Sequence, residues 1–357
     1  MIQIQNSSSR RLDVVNLSDI QQTEVSWLWE PYIPLGKVSF LDGDPESGKT
    51  YIALELAAAV TTGRVVSIGI PVEGQSPVKR NPANVLYLSA EDNLGDTIKP
   101  RFVRQGGDES RFLAAQGLVQ DQGDKKCFTA FHLSCVAELE ERLEQYTPEL
   151  VVIDPIQAFL GAKVDMHRAN EVRPVLMGLS KLAERRGCAI LLIRHLNKAA
   201  SMKAMYRALG SVDMAAAARS ILLAGRHPAE KDGRVLAHLK SSLGPRGESV
   251  AYTITEAGLK WQGVADLSAD DLVASPIGAA ASSVEAEAFL KEYLSGGPKP
   301  ATEVYAAANQ RGISQGRLAR RAKALGVVRK PNGYQQGWIF MLPSSPKEGL
   351  LPLAARG

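Results

Sequence analysis

Gly43-Asp44-Pro45-Glu46-Ser47-Gly48-Lys49-Thr50 is the stretch on which the fold turns, a G-x-x-x-x-G-K-T pattern. Lys37-Val38-Ser39-Phe40-Leu41-Asp42 precedes it as an apolar strand. Tyr51-Ile52-Ala53-Leu54-Glu55-Leu56-Ala57-Ala58-Ala59-Val60 follows as a strong helix former with apolar residues at helical spacing. Strand, glycine loop and helix in that order make a phosphate-binding loop: its backbone N–H groups point inward around an anion, and the helix N-terminus adds positive potential. The bound nucleotide is expected to be ATP with Mg²⁺. Lys49 is expected to reach the β- and γ-phosphates and Thr50 to ligate the metal. Glu46 is the odd residue, a carboxylate inside a loop meant for phosphate, and is expected to point outward.

The rest of the chain fits an α/β fold around that loop. At 357 residues it suggests two domains, and 45% apolar with 22% charged residues describes an ordinary globular protein. No apolar run approaches the roughly 18 residues that a membrane span needs, and residues 1–11 lack the apolar core of a signal peptide. Cys127, Cys135 and Cys188 are an odd count without framework spacing, which points to a reducing, cytoplasmic setting. Cys127, His132 and Cys135 offer three zinc ligands at unusual spacing, so idle cysteines are expected instead.

Residues 1–26 read as a polar arm and 27–265 as the ATPase domain. Trp27 and Trp29 lead into the first strand and are expected to pack over the sheet edge rather than stack on a base. Asn84-Val85-Leu86-Tyr87-Leu88-Ser89 is a second buried strand. Glu149-Leu150-Val151-Val152-Ile153-Asp154 is another and ends in an acid. Ligands of open α/β sheets bind beyond the carboxyl ends of the strands, so Asp154 is expected beside the phosphate loop, holding Mg²⁺. Ala189-Ile190-Leu191-Leu192-Ile193 follows a long helical stretch, and three short strands lie beyond it. Strands alternating with helices, then a run of strands, predict a mostly parallel sheet with an antiparallel extension.

Residues 266–283 read as a linker, 284–343 as a small second domain and 344–357 as a tail. Three helices and a hairpin around Asn332-Gly333 describe a winged helix-turn-helix. On its third helix Ile313, Leu318, Ala322 and Leu325 form the inward stripe. Arg317, Arg320 and Lys323 are then expected to face a major groove of duplex DNA. Residues 304–357 carry nine Lys or Arg against one acid, Glu348, so the basic charge is concentrated where a polyanion would bind.

Taken together, Gly43 to Thr50, Ser89-Ala90-Glu91-Asp92, Asp154 and Arg194-His195-Leu196-Asn197-Lys198 resemble the RecA-type ATPases of the RepA helicase family, over residues 27–262. The resemblance implies a RecA-like P-loop NTPase core and a closed, hexameric homo-oligomer acting in replication of a plasmid, phage or mobile element. Glu91 then corresponds to the glutamate that activates water, and His195 to the sensor of the γ-phosphate. Arg219 falls where the arginine finger is donated to a neighbour's ATP, with Arg226, Lys240 and Arg246 as alternatives. Lys198, Lys203 and Arg207 would line a pore and track single-stranded DNA. A primase or initiator is an expected partner, and competing readings are a helicase loader, a RecA-like recombinase and a nucleotide-switched DNA-binding regulator.

Overall fold

The computed structural model describes residues 14–66, 80–122, 125–161, 164, 168–196, 217–228, 230, 232–273, 283–313, 315–331 and 337–343. Lys198, Lys203 and Arg207 therefore lie outside the described residues. In chain order the elements are β1 (Trp27–Trp29), β2 (Ile33–Pro34), β3 (Val38–Gly43), α1 (Lys49–Thr62), β4 (Val85–Ser89), α2 (Lys99–Arg104) and β5 (Phe112–Ala115). There follow β6 (Leu118–Gln122), β7 (Lys125–Thr129), α3 (Val136–Tyr146), β8 (Leu150–Asp154), α4 (Ile156–Phe159), α5 (Ala169–Arg186) and β9 (Ala189–His195). Next come β10 (Ser220–Arg226), β11 (Arg234–Ser241), β12 (Ser249–Thr255), β13 (Gly258–Ala265) and α6 (Ala269–Val273). The C-terminal part holds α7 (Ser283–Leu294), β14 (Lys299–Pro300), α8 (Ala301–Gln310), α9 (Gln315–Ala324), β15 (Val328–Pro331) and β16 (Trp338–Met341).

Nine strands form the main sheet in the order β13-β12-β11-β10-β3-β9-β8-β4-β5. From β10 to β5 every pairing is parallel, and β11, β12 and β13 extend the sheet antiparallel from β10. The central strands are buried on both faces, which is why they read as unbroken apolar runs rather than alternating ones. Val151 and Ile153 of β8 enter one core with Leu176 and Leu179 of α5, whereas Leu150 and Val152 enter the other with α1. α1 is buried around most of its circumference, from Ile52 to Thr61. Trp29 packs at the edge of this second core against Tyr32 and Trp261, the packing role expected for it.

Residues 94–104 are helical, a π-helical turn, Leu94–Ile98, running into the short α2; Asn93 caps it by accepting from the N–H groups of Gly95 and Asp96. The expected linker, 266–283, begins with α6, whose Leu272 packs beneath Gly225 of β10 on the first core. α7, α8, α9 and the strand set β14-β16-β15 enclose a third core of their own, with Phe289, Leu290, Leu318 and Phe340 buried.

Candidate active site

The loop between β3 and α1 is shaped by what surrounds its glycines. A Cβ on Gly43 would stand 2.5 Å from both the Ala224 carbonyl oxygen of β10 and the Ser47 hydroxyl. Gly48 has φ +90°, and a Cβ there would meet Ile254 of β12 at 2.5 Å, so only glycine allows this close approach. Glu46 also adopts a positive φ of 63°, and its side chain points outward to Arg226 of β10, Oε2 to Nη2 2.6 Å. Tyr252 of β12 donates its hydroxyl to the Ser47 carbonyl at 2.5 Å, and Arg234 of β11 donates Nε to the Glu46 carbonyl at 3.4 Å. The antiparallel extension therefore braces the loop from the side.

Lys49 is buried, with Nζ donating to the carbonyls of Gly43 and Asp44, both at 2.9 Å. Burial lowers its pKa, opposed by the carboxylates of Asp154, Asp44, Asp42 and Glu91. The ammonium thus bridges the loop's own carbonyls, a position from which it can turn to an incoming phosphate. β3 lies between β10 and β9, and its end is beside His195 at the end of β9. One residue earlier, Arg194 and Asp42 form a buried two-point ion pair across the same strands, Nε–Oδ1 2.9 Å and Nη2–Oδ2 2.7 Å. Burial raises the Asp42 pKa, with Arg194 foremost in opposing it.

Asp154 ends β8, next to the end of β4. Its Oδ2 accepts from the Thr50 hydroxyl at 2.9 Å and from the Tyr87 hydroxyl at 2.7 Å. Burial raises the pKa of both acids of this pair: Asp154, where the two donors oppose the shift, and Tyr87, which stays a protonated donor. Glu91, just past β4, reaches His195, Oε2 to Nε2 3.7 Å. Beside them Arg101 of α2 pairs with Asp92, Nη1–Oδ2 3.1 Å, and lies over the Tyr51 ring.

Lys49, Thr50, Glu91, Asp154 and His195 thus line a single cleft of about 410 Å³ at the carboxyl ends of the strands. A crowded glycine loop, a lysine and a Thr–Asp pair fit a nucleotide with its metal. Among the described residues no group of three or more His, Cys, Asp or Glu could hold a metal, so Mg²⁺ would be held here by Thr50, Asp154 and the nucleotide's own phosphates. Bound there, it would neutralise charge on the phosphates.

Arg219 lies elsewhere. It precedes β10 with its N–H on the Val38 carbonyl, and β10 runs parallel to β3 until Ala224 stands beside Gly43. The exposed Arg219 is therefore about 16 Å along the sheet from its own phosphate loop, a distance no side chain spans. Lys240, on the Ala218 carbonyl, and Arg246, on that of Leu239, share this far end. Of the four finger candidates, Arg226 alone stands at this chain's own phosphate loop.

The expectation that α9 turns its cations outward is corrected at Arg317. Arg317 is 2% exposed and pairs with Asp271, Nη2–Oδ1 3.4 Å, while Arg320 donates Nε to Asp266 at 2.8 Å. Both meet acids of the supposed linker; Arg317 is buried there, whereas the Arg320 side chain stays 40% exposed. Lys323 is exposed, as expected. Sequence reasoning missed Tyr87, Arg101, Arg234 and Tyr252, none of which stands in a recognisable motif.

A phosphate loop closing a doubly covered parallel sheet, with an acid at the end of the strand beyond β9, defines a P-loop ATPase site. A family model described as AAA domain matches residues 5–201, over half of the chain, and the protein belongs to that family. No curated protein matches the chain. No helix among the described residues is long and apolar enough to cross a membrane.

Proposed function

We propose that the protein is an ATP-hydrolysing DNA motor, a ring-forming hexameric replicative helicase of a plasmid, phage or other mobile element. The observation that carries the reading is the contact between Glu91 and His195 at 3.7 Å, beside Lys49 and Asp154. Lys49 holds phosphate charge and Thr50 and Asp154 hold Mg²⁺. Glu91, with a carboxylate open to the cleft, orients a water and takes its proton, an effect worth roughly 10²–10⁴ in rate. His195 touches Glu91 and directly precedes the segment with Lys198, Lys203 and Arg207. A change at the γ-phosphate can therefore pull on that segment, which tracks single-stranded DNA. The C-terminal body, read as a winged helix, adds a second DNA contact.

Arg219 is too far from its own site to act there and is assigned to a neighbour's ATP, where it neutralises the transferring phosphoryl group. Mixing mutants tests the assignment and the ring together. Arg219→Ala and Glu91→Gln should each be nearly inactive with nucleotide binding intact, since a finger in trans is worth roughly 10³–10⁵ in rate. Mixed assemblies should regain ATPase activity, because an Arg219→Ala subunit still presents Glu91 to the intact Arg219 of its neighbour. No recovery in verified mixed assemblies would refute the trans role. Failure to unwind a forked duplex despite ATPase activity would refute the helicase.

A further inference from the structure

The basic C-terminal region divides its cations between two surfaces. On α9 the arginines are engaged: Arg317 with Asp271, Arg320 with Asp266 and Asp271, and Arg321 Nη2 with Asp266 Oδ2 at 3.0 Å. Asp271 is 2% exposed and also accepts from the Ser268 hydroxyl at 2.6 Å and backbone N–H at 2.7 Å, which fixes the carboxylate. α6, which carries Asp271, is anchored on the main sheet through Leu272. These three arginines therefore hold the C-terminal body to the ATPase domain.

The strand pair β15–β16 is different. Every residue of β15 is exposed, Arg329 and Lys330 among them. Trp338 opens β16 opposite Pro331 and is 54% exposed. Arg329 is opposite Phe340, with its guanidinium 5.0 Å from that ring, so Arg329 and Trp338 share one face as diagonal neighbours. A half-exposed indole offers a flat apolar face, and a partner for it must tolerate the charge around it. Residues 304–347 contain no Asp or Glu, so charge complementarity selects a polyanion. The indole face selects one with unstacked bases, because a duplex keeps its π-faces inside the stack.

We propose that Trp338 and Arg329 form a platform for single-stranded nucleic acid, and that Arg317, Arg320 and Arg321 dock the domain instead of reading DNA. The proposal rests on the DNA-motor reading above and moves the contact from α9 to the strand pair.

Fluorescence anisotropy of the full chain with labelled oligothymidylate and with a blunt duplex, over a salt series, tests it. Trp338→Ala should weaken oligothymidylate binding about 10–100-fold and duplex binding much less, with Trp338→Phe keeping most of the affinity. Arg329→Ala should lower the log–log salt slope on the single strand by about 0.7. Arg320→Gln with Arg321→Gln should leave affinity and slope unchanged. Circular dichroism and ATPase rate identify any variant that fails to fold, and the exposed Arg329 then carries the test. Wild-type affinity in folded Trp338→Ala would overturn the platform, as would a lowered slope in the Arg320 and Arg321 variant. A wild-type chain that binds neither probe would instead refute the DNA-motor reading itself.

Discussion

Removing one oxygen atom, by Tyr87→Phe, tests how the fold would hold Mg²⁺ at Asp154. Asp154 Oδ2 accepts two hydroxyls, from Tyr87 at 2.7 Å and Thr50 at 2.9 Å. Were Thr50 to turn its oxygen to a metal, Tyr87 would remain as a donor that fixes the carboxylate. A hydrogen bond to a charged group is worth about 1.5–3 kcal/mol. Partners of a metal's ligands typically cost 10–100-fold in metal affinity when removed, about 1.4–2.8 kcal/mol, so the two routes agree. The ring itself stays: Tyr87 is fully buried and stacks on Phe112, which phenylalanine can also do. Tyr87→Phe should therefore shift the Mg²⁺ dependence of ATPase activity 10–100-fold upward, leave metal-free nucleotide binding unchanged and recover turnover at high Mg²⁺. An unshifted Mg²⁺ curve would reduce Tyr87 to a core residue. A turnover loss that Mg²⁺ does not repair would place its effect on the chemistry instead.

Two further perturbations test stability. Arg194→Met leaves Asp42 buried without its two-point partner and should cost about 3–5 kcal/mol by urea unfolding, whereas Asp42→Leu with Arg194→Met should recover much of it. A double variant as unstable as the single would mean that the pair belongs to a larger network. His238 accepts the Gly247 N–H at Nδ1 (2.9 Å) and has Nε2 3.0 Å from the Ser220 hydroxyl, which donates to the Tyr32 carbonyl. The ring is thus held neutral, and burial lowers its pKa from 6.5 to about 4. Since the folded-state value is depressed, the neutral ring's contribution is complete above about pH 6.5 and is lost as pH falls towards 4, up to roughly 3 kcal/mol. Urea midpoints between pH 7 and 4.5 should fall more steeply for the wild type than for His238→Gln, and parallel lines would refute the assignment.

Which parts of this site a reader of the sequence can find follows from how far apart the contacting residues lie along the chain. The phosphate loop is legible because its geometry is local: Gly43, Gly48, Lys49 and Thr50 act within eight residues, with a strand before them and a helix after. Asp154 is legible because an apolar run ending in an acid places that acid at a strand's carboxyl end. Tyr87, by contrast, sits in a strand that would read the same with phenylalanine. Its hydroxyl matters because β4 lies beside β8, and neither strand's composition states that neighbour. Tyr252 and Arg234 reach the phosphate loop from β12 and β11, about two hundred residues away in the chain. α9 shows the opposite problem. A basic helix face reads alike whether its partner is a nucleic-acid phosphate or a protein carboxylate, and helical periodicity could assign Arg317 to a face but not name what covers it. Asp266 and Asp271 decide that, and they stand in a stretch whose Ala, Ser and Asp content reads as linker. The acids that made the segment look unstructured are the ones that seat the helix.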